Sequence, residues 1–556
     1  MAGAPERRVR FEGKLREVRP GETLLGVLAR GRLPLLQRSI RYHRPRAPAC
    51  GVGYCTGCLV RVNGRPNVRA CRYRPADGDE VVTENAWPSP RFDVLGLLDF
   101  LFPGGIDTLH GFRRPAWATR AYHRVVRRLS GYGAVPDLDA SAPLVTPPVR
   151  RTVDVAVVGA GPSGRAAARR LAEAGAAPLL VDRGLAPAPA EGGELVARTT
   201  VTFLPPPSGS GPGRFTLLGF EEPARGAEVR AKSVVVATGG YDASLLFGGN
   251  DRPGVLTGDG ALAMVDATGR PPFERAVVVG GGARAEELLY RLAGHVGAVV
   301  APGAIDPGVV RRASDDEVPL YPRSLLLRAS GRARVHTLHL RSRGAGTAFS
   351  IPCDAVVLAH RRLPTPQLFF QAGAQMEWRA GTGAYYPVTS PTGETTVPGL
   401  FAVGAAAGEL REGAAMSGER AADAILGRPV AAETVRPLVP ANGLPELDGY
   451  YRELWREPRR GRWIACPCED VLLGEVEAAV RAGYTGIEVV KRYTGLGTGL
   501  CQGRYCLPDA LLLLSLLESR PAPEVGYITQ RPPVVPTPLA AFAALDTVPA
   551  AATGGP

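Results

Sequence analysis

The sequence predicts a multidomain protein of the α/β class, with an N-terminal α+β domain, a large α/β core and a small helical C-terminal domain. Its 556 residues exceed what one hydrophobic core accommodates. In the middle of the chain, an apolar strand, a glycine turn and a helix of period about 3.6 follow one another twice, as in α/β domains. Eight of the nine cysteines form two sets of four, one towards each end. These three observations predict the three-part organisation.

The composition restricts the classes of partner. The net charge is +13, but the arginines are dispersed and no stacking aromatic residues interleave with them, so we do not expect nucleic acid as a partner. The chain has no uncharged apolar run of about 18 residues, and its N-terminal "MAGAPERRVRFEG" lacks the apolar stretch of a signal peptide. We therefore expect no transmembrane segment and a cytoplasmic protein, which would reach a membrane only as a peripheral part of a complex.

Composition shifts along the chain predict the domain boundaries. Short strand-like runs alternate with turns at Asn63-Gly64 and Asp77-Gly78, and "ETLLGVLARG" reads as a helix, which is typical of a small α+β domain. The expected boundaries are 1–86 for this first cysteine-bearing domain, 87–150 for a connector, 151–430 for the α/β core with a second glycine motif inserted near 272–365, 431–459 for a Pro-rich linker, 460–525 for the second cysteine-bearing domain and 526–556 for a tail.

The first cysteine set has the spacing of an iron–sulfur site. In "CGVGYCTGC", four residues separate Cys50 from Cys55 and two separate Cys55 from Cys58. This is the plant-type ferredoxin pattern, in which a tight glycine loop directs thiolates at a [2Fe–2S] cluster. Cys71, after a gap of twelve residues, is the expected fourth ligand. The alternative, a zinc ribbon, requires paired CxxC elements, and only one is present. The sequence therefore predicts a ferredoxin-like [2Fe–2S] domain.

The second set, Cys466, Cys468, Cys501 and Cys506, combines a CxC pair and a C-x4-C pair across a gap of 32 residues. Structural zinc favours two or more spacer residues, so CxC is unusual for it, and a chain without an export signal disfavours disulfides. "CPCEDV…CQGRYC" resembles the small helical bacterioferritin-associated-ferredoxin-like [2Fe–2S] domain. Zinc and disulfides remain as alternatives. Cys353 stands alone before a buried-strand pattern, and we expect it in the core.

The first glycine motif predicts a dinucleotide site. It follows the strand "VDVAVVG", opens a helix and has an acidic residue about 20 positions further on, a combination far more specific than the glycines alone. The glycines admit a pyrophosphate to the helix N-terminus, and the acid can bond ribose hydroxyls. "SVVVATGG" and "GLFAVGAAAG" resemble the later contact segments of glutathione-reductase-like flavoproteins, which favours FAD. The predicted cofactor-binding residues are Gly159, Gly161, Pro162, Ser163, Gly164, Asp182, Thr238, Gly239, Gly404 and Ala405.

A second glycine motif, Gly280-Gly-Gly282-Ala-Arg-Ala285, lies where such flavoproteins bind nicotinamide nucleotides. The strand after it, "GAVVAPGA", ends without an acidic residue to hold a ribose. Two interpretations stay open: a nicotinamide site, or a tight strand–helix turn whose ligand site has decayed.

No catalytic residue is predicted. The flavin region contains no redox-active CxxxxC pair, no nucleophile–base signature is present, and the seven histidines are scattered. Two clusters and a dinucleotide fold without a substrate acid–base group are typical of an electron conduit.

The chain resembles the α (large) subunits of heteromeric sarcosine oxidase-like amino acid dehydrogenases, a group that includes D-hydroxyproline and proline dehydrogenases, opine oxidases and hydrogen cyanide synthase. The resemblance extends through almost the whole chain and is most specific in the strings "TENAWPSPRFDVLGLLDFLFPGGI", "GIEVVKRYTGLGTGLCQGRYC" and "TQRPPVVP". Unlike the long sarcosine oxidase chains, this one stops before a folate-binding half, so formaldehyde capture by tetrahydrofolate is not expected. The stretch after Asp182 is also short, with Gly192 and Gly193 as the remnant of a Gly-Gly-Gln turn.

The resemblance implies an electron-accepting role beside an FAD-containing β subunit of the D-amino-acid-oxidase type, with room for further small subunits. It implies two [2Fe–2S] clusters, FAD, NAD or ATP in the chain's own dinucleotide fold, and, in several members, FMN at a boundary between subunits. We therefore expect an electron-transfer subunit of an amino acid or amine dehydrogenase that acts on sarcosine, proline or hydroxyproline. The alternatives are a self-sufficient NAD(P)H-dependent flavin and iron–sulfur reductase, and a non-catalytic scaffold with a structural nucleotide.

Overall fold

The structure, a computed structural model, describes residues 7–96, 115–129, 146–184, 195–197, 199–208, 214–221, 224–409, 413–430, 444–458 and 460–546. The chain divides into two compact units. The first comprises Met1–Asp137, Asp242–Arg362 and Ala441–Tyr527; the second comprises Leu138–Tyr241, Leu363–Pro440 and Ile528–Pro556. Both units are therefore assembled from segments that are distant in sequence.

The N-terminal segment of the first unit is a small α+β fold, as the sequence predicts. Its sheet has the order β2-β1-β7-β5-β6. Asn63 and Gly64 both have positive φ in the two-residue turn between β5 and β6, the backbone that Asn-Gly favours in hairpins. The elements are β1 (Arg7–Phe11), β2 (Lys14–Val18), α1 (Leu24–Ala29), β3 (Gln37–Arg38), β4 (Pro45–Arg46), β5 (Leu59–Val62), β6 (Arg65–Arg69) and β7 (Glu80–Val82).

Within the predicted connector, residues 115–129 are described and include helix α2 (Ala116–Leu129). The α/β core begins after it with the predicted strand, glycine turn and helix. Its strands form a sheet of order β10-β9-β8-β13-β12-β11. The elements are β8 (Val149–Val158), α3 (Pro162–Glu173), β9 (Leu179–Val181), β10 (Leu195–Ala197), β11 (Thr199–Phe203), β12 (Phe215–Glu221), β13 (Arg225–Val236) and β14 (Gly240–Asp242).

The segment around the second glycine motif forms an all-parallel sheet of order β15-β22-β16-β17-β18 in the first unit. Its central strands β16 and β22 are fully buried, as expected when helices cover both faces. The elements are β15 (Val255–Thr257), α4 (Gly258–Thr268), β16 (Ala276–Val279), α5 (Ala283–Arg291), β17 (Val296–Val300), α6 (Pro307–Asp315), β18 (Leu320–Tyr321), β19 (Ser324–Ser330), β20 (Thr337–Ser342), β21 (Ala348–Pro352) and β22 (Ala355–Leu358). Cys353 is buried before β22, as predicted, and burial raises its pKa to about 12.

The chain then completes the sheet of the second unit. Strand β26 pairs in parallel with β13, so "GLFAVG" ends at the same edge as β8 and β13. The elements are β23 (Arg362–Pro364), α7 (Gln367–Gln371), β24 (Met376–Arg379), β25 (Ala384–Pro387), β26 (Leu400–Ala402) and α8 (Ala414–Ile425).

The C-terminal segment is mainly helical. The elements are α9 (Leu444–Leu454), β27 (Ile464–Cys466), β28 (Val471–Leu472), α10 (Leu473–Arg481), α11 (Ile487–Thr494), α12 (Leu507–Glu518), α13 (Ala522–Val525) and α14 (Leu539–Asp546). In the part of the chain that the structure describes, no helix combines the length and apolarity that a membrane span requires.

A buried carboxylate attaches α12 to the rest of the first unit. Asp509, in the first turn of α12, is 5% exposed. Its carboxylate accepts hydrogen bonds from the Ser244 hydroxyl (3.0 Å) and the Tyr451 hydroxyl (2.6 Å), and Arg361 Nη2 lies 3.6 Å away. Burial raises the pKa of Asp509 to about 6, against the opposing effect of Arg361 and the two hydroxyls. The charged carboxylate is therefore costly at neutral pH.

Replacing this carboxylate should change the pH dependence of stability. Between the unfolded-state pKa of about 3.9 and the folded-state value of about 6, folded Asp509 binds a proton that the unfolded chain has lost, so the free energy of unfolding falls as pH rises. Across this pH range the free energy of unfolding falls by about 3 kcal/mol in total. We expect Asp509→Asn to flatten the dependence of Tm on pH between pH 4 and 6. Asp448→Asn, at an exposed residue that pairs with Arg452, is the matched control; equal slopes in the two variants would contradict the prediction.

Candidate redox and nucleotide sites

The first four cysteines lie together in the N-terminal fold. Cys50, Cys55 and Cys58 occupy the loop between β4 and β5, Cys71 follows β6, and none is more than 5% exposed. The sulfurs of Cys58 and Cys71 are 3.4 Å apart, and the backbone N–H of Cys55 donates to the sulfur of Cys50 (3.2 Å). The set therefore consists of two pairs, Cys50 with Cys55 and Cys58 with Cys71.

Close backbone packing explains one glycine of this loop. A Cβ at Gly57 would overlap the carbonyl oxygen of Ala47. The loop also packs on the N-terminus of α4, where the backbone N–H of Thr257 donates to the carbonyl of Ala49 (3.0 Å). A helix N-terminus carries partial positive charge, which favours negative charge nearby. The N-terminus of α4 therefore opposes, in part, the burial that disfavours a thiolate at Cys50.

The second set is assembled from three separate places. Cys466 ends β27, Cys468 lies in the turn before β28, Cys501 lies in the glycine loop after α11, and Cys506 precedes α12. The thiols of Cys501 and Cys468 lie close enough to interact, as do those of Cys506 and Cys466. Each member of the CxC pair therefore joins one member of the C-x4-C pair.

The electrostatics of the two sets require a cation. Burial, followed by the contact with Cys55, raises the pKa of Cys50 well above its usual value, and the contact with Cys468, followed by burial, does the same for Cys501. Hydrogen bonds from Cys50 lower the pKa of Cys55. Four buried thiols cannot all ionise together unless bound metal displaces their protons. Both sets are therefore chemically suited to metal.

The paired arrangement also bears on which metal group fits. Among the described residues, no three histidine, cysteine, aspartate or glutamate side chains are placed to share a single ion. A tetrahedral zinc site needs four ligands around one point, whereas a [2Fe–2S] cluster has two irons with a pair of ligands on each. Two thiol pairs in each set fit the second requirement better.

The first glycine motif forms the expected turn between β8 and α3. The backbone N–H of Gly159 donates to the carbonyl of Val181 (2.8 Å). The carboxylate of Asp182, just after β9, accepts the N–H of Ala160 (2.8 Å) and that of Gly184. Asp182 thus stabilises the glycine turn through these two hydrogen bonds. A ribose hydroxyl would have to donate to the lone pairs of the carboxylate that remain available.

The other predicted nucleotide contacts meet at this turn. A Cβ at Gly164 would overlap the carbonyl oxygen of Gly159, so the helix approaches the strand this closely only because residue 164 is glycine. The Thr238 hydroxyl accepts from Thr365 (2.6 Å), and the Gly239 carbonyl accepts from the same hydroxyl (3.1 Å). The N–H of Gly404 donates to Ser417 (3.0 Å). The remaining predicted residues surround the same turn: Gly161 and Pro162 open α3, Ser163 contacts Gly404, and Ala405 follows it.

The second glycine motif has a neighbour that its sequence pattern does not indicate. The backbone N–H of Asp306, which precedes α6, donates to the carbonyl of Gly281 (2.8 Å), and its carboxylate lies beside Gly282 at the N-terminus of α5. Burial raises the pKa of Asp306. Arg284 of the same motif is bonded to Asp242 (2.8 Å) and Asp259 (2.7 Å). A carboxylate where a dinucleotide fold would bind phosphate favours the interpretation as a structural turn. The Gly192 and Gly193 remnant lies outside the described residues.

Comparisons with known proteins assign three segments to families. Residues 6–86 match the 2Fe-2S iron-sulfur cluster binding domain, residues 153–424 the pyridine nucleotide-disulphide oxidoreductases, and residues 461–546 the sarcosine oxidase A3 domain. The alpha subunit of sarcosine oxidase from Rhizobium meliloti (strain 1021) is 29% identical over 97% of this chain, and an opine oxidase subunit from Agrobacterium tumefaciens (strain Ach5) is 27% identical over 70% of it. The chain is a relative of these oxidase subunits.

The extent of this relationship differs between relatives. The chain spans 57% of the length of the R. meliloti sarcosine oxidase chain, but 92% of the A. tumefaciens opine oxidase chain is covered. The solved structure of L-proline dehydrogenase from P. horikoshii has the same fold, with a TM-score of 0.64, 20% identity and coverage of 97% of both chains. The predicted resemblance to these oxidase subunits and the predicted fold class are thereby confirmed: a 2Fe–2S domain, a dinucleotide-type α/β core and a helical C-terminal domain. The individual ligands and the domain boundaries stay predictions.

Two glycine substitutions should separate folding from nucleotide binding. Gly161 has φ −71° and nothing within 4 Å of an added Cβ, so Gly161→Ala should fold with a Tm close to that of the unmodified chain. It should nevertheless lose bound nucleotide, because its methyl group would face the pyrophosphate. Gly164→Ala should lower Tm, because its Cβ would overlap Gly159. Thermal unfolding and quantification of extracted nucleotide check both; normal nucleotide content in Gly161→Ala would contradict the proposed phosphate position.

Proposed function

We propose that this chain is the electron-transfer subunit of a heteromeric FAD-dependent amino acid or amine dehydrogenase of the sarcosine, proline or hydroxyproline type. The observation that carries the proposal is the presence of two sets of paired cysteines, seven of the eight buried, within one compact unit. The similarity to subunits of sarcosine and opine oxidases supports it.

Each cysteine set would hold one [2Fe–2S] cluster, and such clusters supply one-electron transfer chemistry. The proposed ligands are Cys50, Cys55, Cys58 and Cys71 for the first cluster and Cys466, Cys468, Cys501 and Cys506 for the second. Around them, the chain supplies burial, which excludes water, and N–H···S hydrogen bonds such as that from Cys55 to Cys50. Bonds of this kind tune reduction potentials.

The turn after β8 would hold the dinucleotide, for which we propose FAD, with NAD or ATP as alternatives in the same fold. Gly159, Gly161 and Gly164 would accept the pyrophosphate, and Asp182 would orient the ribose. An FMN at a boundary between subunits, as the family resemblance implies, is part of the same proposal.

Substrate oxidation is assigned to a partner. We propose an FAD-containing β subunit of the D-amino-acid-oxidase type, which would take a hydride from the carbon beside the amine. The names of the oxidase relatives, which describe them as subunits, support a heteromeric complex. The chain's own role is then to accept electrons and to pass them through its buried thiol sets.

A second candidate function is supported by the match of residues 153–424 to pyridine nucleotide-disulphide oxidoreductases. In this alternative, NAD(P)H would reduce a flavin within the chain and the flavin would reduce the clusters. The carboxylate of Asp306 beside the second glycine turn disfavours this alternative, because its negative charge would repel a nucleotide phosphate there.

Anaerobic reduction distinguishes these functions. We expect the visible absorption of the purified chain to bleach after addition of the partner subunit together with proline, hydroxyproline or sarcosine, and to be unchanged by NADH alone. Bleaching by NADH without a partner would instead identify the self-sufficient reductase. A chain that bleaches with neither donor and releases only ATP, or no nucleotide, on extraction would favour a scaffold.

Cysteine substitutions test the two ligand sets separately. Cys55→Ser should remove the visible absorption and EPR signal of one cluster while the other remains, and Cys501→Ser should do the reverse, with about half of the iron lost in each case. Cys353→Ser is the matched control, since this buried cysteine belongs to neither set. Retention of both signals in Cys55→Ser or Cys501→Ser would contradict the ligand assignment.

A further inference from the structure

A hydrogen bond joins the loop of the first cysteine set to a sulfur of the second set. Thr56 lies in the first cysteine loop, directly after Cys55, and its hydroxyl donates to the sulfur of Cys468 in the second set at 3.6 Å. Cys468 is also the one cysteine of the eight that is partly exposed, whereas the other seven are buried. The contact therefore joins the first loop to the most accessible ligand position of the second set.

Charged groups fix the geometry on the side of Cys468. Arg46 is 6% exposed; it bonds Asp251 (3.3 Å) and also Asp470, two residues after Cys468. The carboxylate of Asp470 accepts in addition the backbone N–H of Arg41 (3.2 Å). Removing a partner from such a buried ion pair is strongly destabilising, so the pair holds the two loops in one arrangement.

Hydrogen bonds also fix the position of the loop that contains Thr56. The carbonyl of Thr56 accepts a hydrogen bond from the side-chain amide of Gln37. Arg69 Nη2 donates to the carbonyl of Leu500 (3.4 Å), directly before Cys501. The N-terminal fold thus contacts both cysteine-bearing segments of the second set, and the Thr56 hydroxyl is the group that reaches a sulfur.

We propose that Thr56 is a positioning residue that links the two [2Fe–2S] sites and raises the reduction potential of the second. The inference rests on the proposed function and deepens it. Reducing a cluster by one electron adds negative charge to its sulfur ligands, and a hydrogen bond to a ligand sulfur stabilises that charge. When one electron passes between the sites, one cluster is oxidised by one electron and the other is reduced by one, without a proton or leaving group. The Thr56 hydroxyl favours residence of that electron on the Cys468 side.

The test compares two threonines, one in the loop of each cysteine set. Thr56→Val keeps the shape of the side chain and removes the hydroxyl, whereas Thr56→Ser keeps a donor. Thr498→Val is the matched control, since Thr498 lies in the glycine loop of the second set but donates to the carbonyl of Gly495 (2.7 Å) instead of to a sulfur. The three variants and the unmodified chain, each purified with its clusters, are titrated potentiometrically with EPR detection. The signals remaining in Cys55→Ser and Cys501→Ser identify which cluster is which.

In Thr56→Val we expect both clusters to be retained, with a more negative midpoint potential for the second and an unchanged one for the first. The equilibrium constant for electron transfer from the second cluster to the first should rise about tenfold. For a one-electron couple, this corresponds to about 59 mV. The midpoint potentials of both clusters in Thr56→Ser should stay close to those of the unmodified chain, and those in Thr498→Val should equal them.

Two results would overturn the inference in distinguishable ways. Two cluster signals with the same potentials in Thr56→Val as in Thr498→Val would refute the role of Thr56 and leave the proposed function intact. An unmodified chain without two [2Fe–2S] signals would refute the proposed function, and with it the inference.

Discussion

The gathering of eight cysteines, seven of them buried, into two compact sets is the constraint on which the first unit depends. A buried thiol resists ionisation, and each set brings four sulfurs together. Thiolates in this setting would need a cation to compensate their charge, so binding of a metal would be coupled to loss of the thiol protons. The surrounding chain shares in this compensation through the Cys55 N–H on the Cys50 sulfur and the N-terminus of α4 against the loop.

The same unit contains charges that organise the protein without belonging to a site. Arg46 between Asp251 and Asp470, and Asp509 between Ser244 and Tyr451, attach the C-terminal helical segment to segments far away in sequence. Buried polar groups of this kind are stable only with their partners in place. They therefore hold the cysteine loops in one relative position. In this position the Thr56 hydroxyl donates a hydrogen bond to the Cys468 sulfur.

The candidate nucleotide site of the second unit depends on the direction of its strands. Strands β8, β13 and β26 run in parallel and end at one edge, so three glycine-containing segments distant in sequence meet there. In such folds the ligand binds at the carboxyl ends of the strands. Each segment is recognisable from the sequence because its signals are local: an apolar run, a glycine where only hydrogen fits, and an acid on the next strand.

The fold class, the cysteine spacing and the glycine turns follow from the sequence alone, because each is encoded within a few neighbouring residues. The sequence did not reveal that Cys466 joins Cys506 while Cys468 joins Cys501, that Asp306 covers the second glycine turn, or that Asp182 braces the first. These points depend on tertiary packing. Thr56 and Cys468 are 412 residues apart, and no local periodicity specifies which distant side chains become neighbours once the hydrophobic cores have formed.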